Sequence, residues 1–306
     1  MKNKKVKKKH LLIIGGTGFI GYNCFKFAKK FNWKHTSVSR NYPRKDRKIK
    51  GVKYLKLDVN NQKQVKKKLN GNFTHIINLV GSSNQVFEKK NKKSINRTQL
   101  NSSKNIMNFF VGKKIHRFIQ IGSAAEYGQK KTPHKENIKC SPKSDYGLAK
   151  LKTTKHLLDL FTQRSFNGAV VRLFQVYGER QNKDKIIPYI LNNCLVNKKF
   201  KLTKGTQTRD FCYIGDVVKA IFLLLNKKDK INGKIFNVAS GNDISIKRLV
   251  SLIKNIVGLG KPIFGKIKLK KSEVIKSKAD IKQIKKIGWR PKINLETGIK
   301  LILKHT

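Results

Sequence analysis

The feature that most constrains the fold is a glycine-rich turn, "GGTGFIG" at 15–21, which follows the first apolar run of the chain. That run, "HLLIIG" at 10–15, is typical of a buried parallel strand, and the residues after the turn have helical length. Three glycines spaced three residues apart allow a tight turn and close backbone approach, and the helix N-terminus offers free N–H groups to a pyrophosphate. Glycines that only closed a turn would number one or two. The sequence therefore predicts a dinucleotide site at Gly15, Thr17, Gly18, Phe19, Ile20 and Gly21.

Short apolar runs alternate with segments of helical length through the first two thirds of the chain. Several of these runs are apolar on both faces, as buried parallel strands are. The alternation predicts right-handed βαβ units, and so an α/β fold with a doubly wound parallel sheet of the Rossmann type. We predict strands at 10–15, 35–39, 52–57, 75–81, 115–122, 168–176 and 234–240, and helices at 19–31, 61–69, 95–111, 146–163 and 216–226.

The remaining segments lack this regular alternation. Residues 179–210 and 242–306 carry helical and short strand patterns, among them the amphipathic "SIKRLVSLIKNIVG". We predict that these two segments form a smaller, C-terminal substrate-binding domain. Residues 1–178 and 211–241 then form the dinucleotide-binding domain.

The charge of the chain is extreme, since 71 Lys and Arg stand against 16 Asp and Glu, for a net charge of +55. Such a field attracts polyanions, so a nucleic-acid or polyanion-binding protein is one interpretation. However, lysine recurs in nearly every segment beside Asn, Ile and Phe, as a codon bias towards A and T would produce. The sequence shows no zinc finger, helix-turn-helix or aromatic RNA-binding signature. We therefore expect no specific nucleic-acid partner. We expect instead that the positive charge favours binding of an anionic substrate.

The cysteines and the N-terminus indicate the compartment. Cys24, Cys140, Cys194 and Cys212 are widely spaced and form no Cys-x-x-Cys pair, so neither a disulfide framework nor a metal site is expected. The basic N-terminus resembles the start of a signal peptide, but its apolar run breaks at once into the glycine turn. No apolar span approaches transmembrane length. We expect a cytoplasmic protein without a membrane partner.

The end of the second predicted strand indicates the form of the nicotinamide cofactor. An acidic residue there usually binds the ribose 2′-hydroxyl of NAD, whereas this chain has Ser39 and Arg40. Both side chains can bind a 2′-phosphate, and a carboxylate would repel it. We therefore predict NADP(H), with NAD as the alternative. Strand ends add further candidate cofactor contacts, namely Asp58, Val59, Leu79, Val80 and Gly81.

Tyr146 and Lys150, in "SPKSDYGLAK", are four residues apart on a predicted helix and so share one face. A free tyrosine has a pKa of about 10 and is a poor base at neutral pH. A nearby ammonium group and the positive charge of an oxidised nicotinamide would favour its phenolate. Ser123, after the fifth strand, could hydrogen-bond the same substrate oxygen. Together with the glycine turn, these residues predict a proton relay beside a hydride carrier.

The chain resembles the extended short-chain dehydrogenases/reductases, and in particular the nucleotide-sugar epimerase/dehydratase group. The matching motifs occur in the family's order along essentially the whole chain: "GGTGFIG", "GSAAEYG", "PKSDYGLAK", "VRLFQVYG", "RDFCYIGDVVKA", "FNVASG" and "GWRP". The resemblance implies a nucleotide-sugar substrate and catalytic roles for Ser123, Tyr146 and Lys150. It further implies a cofactor contact at Asn96, and a homodimer formed through helices that flank the sheet.

The resemblance also suggests substrate contacts at Ala124, Gln175 and Arg209. The family usually has Asn where this chain has Gln175, and the longer amide is the departure that weakens this assignment. Arg209 matches the arginine that typically binds the diphosphate of the nucleotide sugar, for which a guanidinium has suitable geometry.

Three reactions compete within this chemistry: reduction of a 4-keto sugar by NADPH, 4-epimerisation with NAD, and 4,6-dehydration. Dehydratases that use an Asp-Glu pair carry it directly after the Ser or Thr, where this chain has Ala124 and Ala125. Alanine cannot move protons, so dehydration is disfavoured, and Arg40 favours the reductase over the epimerase. Glu126 is one position too late for the dehydratase role, and we expect it to support the loop or to pair with a lysine. A non-catalytic NADP-binding protein is disfavoured by the complete Ser–Tyr–Lys set.

Overall fold

The computed structural model describes residues 8–81, 92–228, 230–270 and 272–305. Its strands, in chain order, are β1 His10–Ile14, β2 Lys34–Ser39, β3 Val52–Lys56, β4 His75–Asn78, β5 Arg117–Ser123, β6 Gly168–Leu173, β7 Gln175–Tyr177, β8 Lys199–Lys201, β9 Thr208–Tyr213, β10 Ile235–Val238, β11 Asp243–Ser245 and β12 Lys261–Ile263. Its helices are α1 Phe19–Ala28, α2 Gln62–Lys68, α3 Lys92–Asn96, α4 Ser102–Phe110, α5 Asp145–Arg164, α6 Ile186–Leu195, α7 Ile214–Asn226, α8 Ile246–Val257, α9 Lys282–Lys286 and α10 Leu295–Leu303.

Seven strands form one sheet in the order β10-β6-β5-β4-β1-β2-β3. The strands β1 and β2, β2 and β3, β1 and β4, and β4 and β5 all pair in parallel. The order runs one way from β1 to β3 and the other way from β4 onward, which is the reversal of a doubly wound sheet. The predicted fold class is therefore confirmed. The β1 residues Leu11, Leu12, Ile13 and Ile14 are at most 1% exposed, as expected for a strand covered on both faces.

Two predicted elements are divided in the structure. The apolar run 168–176 is not one strand: β6 belongs to the seven-stranded sheet, whereas β7 pairs with β9 in a three-stranded sheet of order β11-β9-β7. Phe174, between them, still donates its backbone N–H to Val238 of β10 at 3.4 Å. Likewise, the predicted helix 95–111 is α3, a π-helical turn at Arg97–Asn101, and α4.

The chain packs as two compact units. The first comprises the described residues up to Gly122, with Lys152–Val170 and Ile221–Lys234. It holds the glycine turn and an aromatic cluster in which Phe31 stacks on Trp33 and on Phe222, with centroid distances of 5.0 and 5.8 Å.

The second unit comprises Ser123–Leu151, Val171–Ala220 and the described residues from Ile235 onward. Its apolar core is built from α6, α8 and α10 with the neighbouring strands; Ile190, Leu249 and Ile299 are fully buried there. The C-terminal "GWRP" segment is tied to α7, because Trp289 Nε1 donates to the Asp216 carbonyl at 3.0 Å. The domain division predicted from the sequence, with a substrate domain at 179–210 and 242–306, stays a prediction.

Candidate active site

The glycine turn connects β1 to α1 and is sterically closed to larger residues. Gly15 has a φ of +81°, and its N–H donates to the Val38 carbonyl at 2.7 Å. A Cβ atom on Gly16 would lie 2.5 Å from Ser37 Oγ, and one on Gly21 would lie 2.5 Å from the Gly16 Cα. These distances are far below van der Waals contact, so the turn needs glycine at both positions. The spacing in the sequence identified Gly21 but not Gly16.

The start of α1 fits a phosphate. Within the described residues no side chain caps this end, since its first position is Gly18 in an extended conformation with φ −77°. The N–H groups of Phe19 and Ile20 precede the first intrahelical bond, which Tyr22 donates to Gly18. Free N–H groups at the positive end of a helix dipole bind anions. The geometry of this helix start therefore fits a pyrophosphate group.

The residues predicted to choose the cofactor lie at the ends of β2 and β3. Ser39 Oγ accepts the Thr17 N–H at 3.4 Å and donates to the Val38 carbonyl at 2.8 Å, so Ser39 is adjacent to the glycine turn. Arg40 is exposed. Asp58 accepts both the N–H and the side-chain amide of Asn60, at 3.0 and 3.1 Å, with one carboxylate oxygen.

The end of β4 also reaches the glycine turn. Leu79 donates its N–H to Ile14 at 2.9 Å, and a Cβ on Gly15 would lie 3.1 Å from the Leu79 carbonyl oxygen. Gly81 has a φ of +126° and lies against Gln99, which is 3% exposed on the π-helical turn. Val80 and the half-buried Asn96, the last residue of α3, complete the predicted cofactor set of this unit. Sequence reasoning missed Gln99.

The structure brings together the three predicted catalytic residues within the second unit. Ser123 ends β5, and its side chain is hydrogen-bonded to the Tyr146 hydroxyl. Lys150 follows one turn later on α5, with its Nζ 6.0 Å from the centroid of the Tyr146 ring. Gly147 lets the helix approach, because a Cβ there would lie 2.5 Å from the Ala125 carbonyl oxygen. These contacts place a hydroxyl, a phenol and an ammonium group at one point.

Burial controls the protonation of this group. It raises the pKa of Tyr146 to about 12; the Ser123 hydrogen bond opposes the rise, and the Glu126 carboxylate adds to it. Burial also lowers the pKa of Lys150 to about 8, against the effect of Glu126, which favours the ammonium form. Without further positive charge, Tyr146 therefore holds its proton at neutral pH.

Glu126 lies directly behind Ser123 and is fully buried. Its Oε1 accepts the Ser123 N–H at 2.8 Å, while Ser123 Oγ accepts the Ala125 N–H at 3.2 Å, so the two residues form a capping box. Its Oε2 accepts from Arg172 Nε at 2.9 Å. Glu126 thus supports the loop, as expected, and its ion-pair partner is an arginine of β6 rather than a lysine.

The predicted substrate residues lie elsewhere in the second unit. Ala124 begins the short turn after Ser123, and Gln175 is exposed at the start of β7, in register with Phe211 of β9. Arg209 of β9 is 9% exposed and forms an ion pair with Glu273. Its Nη1 donates to the carbonyls of Thr208 and Val274, both at 2.7 Å. The guanidinium is therefore already paired with protein acceptors.

Cysteines, metal ligands and helix length are three further features of the part of the chain that the structure describes. The cysteines are free thiols, and within that part no cluster of three or more His, Cys, Asp or Glu side chains could hold a metal ion. None of the described helices combines the length and the apolar character needed to cross a bilayer.

A doubly wound sheet with a glycine turn after its first strand defines a Rossmann-type protein. The chain belongs to the NAD dependent epimerase/dehydratase family, whose model matches residues 11–239.

Two relatives in sequence have names that refer to nucleotide-sugar activities. A putative UDP-glucose 4-epimerase from Methanocaldococcus jannaschii is 33% identical over 192 residues, which cover 61% of this chain and 61% of that protein. A dTDP-4-dehydro-6-deoxyglucose reductase from Escherichia coli is 30% identical over 191 residues, which cover 58% of this chain and 57% of that protein. The chain spans less than two thirds of the length of these relatives.

Solved structures share the fold over nearly the whole chain. A UDP-glucose 4-epimerase from Thermotoga maritima with UDP-glucose superposes with a TM-score of 0.90 at 22% identity, and covers 97% of this chain and 98% of its own. A UDP-glucose 4-epimerase from Thermus thermophilus in complex with NAD gives a TM-score of 0.88 at 19% identity, with 97% and 98% covered. At these identities the likeness shows the fold.

Proposed function

We propose that this protein is a cytoplasmic NADPH-dependent reductase of a 4-keto nucleotide sugar. The observation that carries the proposal is the meeting of Ser123 and Tyr146, both partly buried, with the buried Lys150. Desolvation raises the pKa of Tyr146, which favours the protonated phenol at neutral pH. A reductase needs that state, since the sugar oxygen must receive a proton as the carbon receives hydride. Arg40, exposed beside Ser39, suits the 2′-phosphate of NADPH.

Each residue of the site has a definable task in this reaction. Ser123 hydrogen-bonds the carbonyl oxygen of the substrate and the Tyr146 hydroxyl, and so aligns the two. Tyr146 transfers its proton to that oxygen, and Lys150, as an ammonium group, stabilises the phenolate that remains. When bound, the nicotinamide supplies the hydride. Ala124 and Ala125 provide no acid or base for elimination of water.

Substrate recognition is assigned to the predicted substrate domain, 179–210 and 242–306, with Gln175 beside it. Arg209 would bind the diphosphate bidentately, which requires the guanidinium to exchange Glu273 for phosphate oxygens. The same interpretation supports a homodimer formed through helices that flank the sheet, as the family resemblance implies.

A UDP-glucose 4-epimerase with bound NAD is the second candidate, favoured by the names of the archaeal relative and of the two superposed structures. Mass spectrometry of the cofactor retained after purification separates the two functions. A tightly held NAD would favour the epimerase, whereas an empty or NADP-loaded protein would favour the reductase.

Replacement of Tyr146 by phenylalanine tests the proton transfer. Y146F removes only the hydroxyl, so turnover should fall by about a thousandfold or more while NADPH binding changes little. Turnover is followed by NADPH oxidation with a panel of 4-keto nucleotide sugars, and binding by fluorescence titration. Full activity of Y146F would contradict the mechanism, and faster turnover with NADH would contradict the assigned cofactor.

A further inference from the structure

We propose that Glu126 is a positioning residue of this active site, which fixes Ser123 and sets the charge balance around Tyr146 and Lys150. The inference rests on the proposed function and assigns a new residue to it. It starts from the position of a fully buried carboxylate three residues after the catalytic serine.

The geometry gives Glu126 control of the Ser123 backbone. Ser123 can present its hydroxyl to Tyr146 only while the end of β5 keeps its extended conformation, with φ −151° and ψ 147°. The Glu126 Oε1 atom holds the Ser123 N–H at 2.8 Å, and the Ala125 N–H holds Ser123 Oγ at 3.2 Å. Both bonds restrict the serine to one orientation.

The second carboxylate oxygen anchors this turn to the core of the unit. Arg172 Nε donates to Glu126 Oε2 at 2.9 Å, and the exposed fractions of the two side chains are 3% and 0%. The Arg172 guanidinium also lies 4.6 Å from the centroid of the Tyr127 ring and donates to the Glu136 carbonyl at 3.3 Å. A capping glutamate on a surface loop would need no such partner, whereas a charged group buried without one is strongly destabilising.

The carboxylate also acts on both proton-transfer groups. Burial is the larger effect: it raises the pKa of Tyr146 and lowers that of Lys150. The Glu126 carboxylate adds to the rise at Tyr146, which favours the protonated phenol, and opposes the fall at Lys150, which favours the ammonium form. Both effects suit a site that donates a proton. The charged and titratable groups that interact with Glu126 are Tyr146, Lys150 and Arg172, and those that interact with Arg172 in turn are Tyr127, Glu136 and Cys140.

Two substitutions separate the two roles. In E126Q the amide oxygen can still accept the Ser123 N–H, but the negative charge is lost. We expect kcat to fall about tenfold or more. We also expect the acidic and basic limbs in the pH profile of kcat to move to lower pH by about half a unit or more, because the negative charge near Tyr146 and Lys150 is lost. In E126D the charge remains but the reach is one methylene shorter, so kcat should fall while the limbs stay in place.

E136Q is the matched control. Glu136 is a second carboxylate close to Arg172, and it accepts the Asn237 N–H at 2.9 Å. Its removal should lower the thermal unfolding midpoint without moving either limb. If E126Q does not fold, the double variant E126M with R172M removes both charges at similar volume. Its kcat should fall because the Ser123 N–H loses its acceptor, whereas its limbs should move less than loss of the carboxylate alone would move them, because the positive charge of Arg172 is lost as well.

The pH dependence of NADPH binding, measured without sugar, is a readout independent of turnover. In E126Q the curve of binding against pH should also move to lower pH. The inference would be overturned if the limbs of the pH profile did not move in E126Q, or if they moved equally in E136Q. In either case, turnover of the wild type that depends on Tyr146 would still support the proposed function. A wild type that neither binds a nicotinamide cofactor nor turns over any nucleotide sugar would contradict the proposed function itself.

Discussion

At the scale of a single side chain, the ion pair of Arg209 bears on how the proposed substrate would bind. Its guanidinium is paired with Glu273 and with two carbonyls, so a diphosphate must compete with an intramolecular carboxylate. We expect R209M to raise KM for the nucleotide sugar about 10- to 100-fold with a smaller change in kcat, because bidentate binding of phosphate is lost in ground and transition states alike. E273Q should lower KM, since the competing charge is removed. Steady-state kinetics of both variants check this, and a raised KM in E273Q would show that Glu273 helps to bind the substrate.

Single residues also show which spatial relations a sequence reveals and which it does not. Tyr146 and Lys150 could be recognised because both lie on one helix, where a spacing of four residues fixes a shared face. The ion pair of Glu126 could not, because Arg172 is 46 residues away and on another strand. Gly16 was missed for a similar reason: its neighbour Ser37 belongs to β2, and only the fold brings the two together.

At the scale of the element, two glycines before α1 are expected to serve different purposes, one in stability and the other in cofactor binding. A Cβ on Gly16 would lie 2.5 Å from Ser37 Oγ and 2.7 Å from the Phe25 ring. Among the described residues, a Cβ on Gly18 would meet only the Gly15 carbonyl oxygen, at 3.3 Å. G16A should therefore lose about 1–3 kcal/mol in the free energy of unfolding, through overpacking. G18A should unfold like the wild type but bind NADPH more weakly, because its methyl group stands where the pyrophosphate approaches. Urea unfolding and cofactor titration measure the two effects, and equal stability of both variants would contradict this account.

The strands of the main sheet could be predicted because buried parallel strands appear as short apolar runs. The boundary between β6 and β7 could not, because "GAVVRLFQV" is mostly apolar and has no Gly or Pro at the boundary. What divides this run is its pairing, with β6 in the main sheet and β7 beside β9. Strand pairing with segments distant along the chain does not change the hydrophobic pattern of a run of nine residues, so this pattern cannot reveal the boundary.

At the scale of the whole molecule, four histidines near the amino ends of neighbouring strands predict sensitivity to acid. Burial, together with nearby positive charges, lowers the pKa of His10 to about 4 and of His75 to about 3, and also lowers those of His35 and His116. Between the ordinary value of 6.5 and these lower values, the unfolded chain binds more protons than the folded one. The free energy of unfolding should thus fall as pH falls through this range.

Thermal unfolding followed across this pH range checks the prediction. In H75F, which removes a titrating group packed 4.7 Å from Trp33, the midpoint should depend less steeply on pH. In H305Q, which replaces an exposed histidine near the C-terminus, the dependence should be that of the wild type. A midpoint that is constant, or that rises as the solution is acidified, would contradict the assignment.

The break at Phe174 also limits how this chain can diverge. Arg172, which anchors Glu126, and Gln175, a candidate substrate contact, are separated by only two residues, yet they lie on strands of different sheets. An insertion or deletion between them would rotate one side chain to the opposite face of its strand while the other stayed in place. Under the proposed function, we therefore expect the residue at 175 to change with the substrate while the length of this junction stays fixed. We expect relatives of differing specificity to align without gaps from 172 to 177.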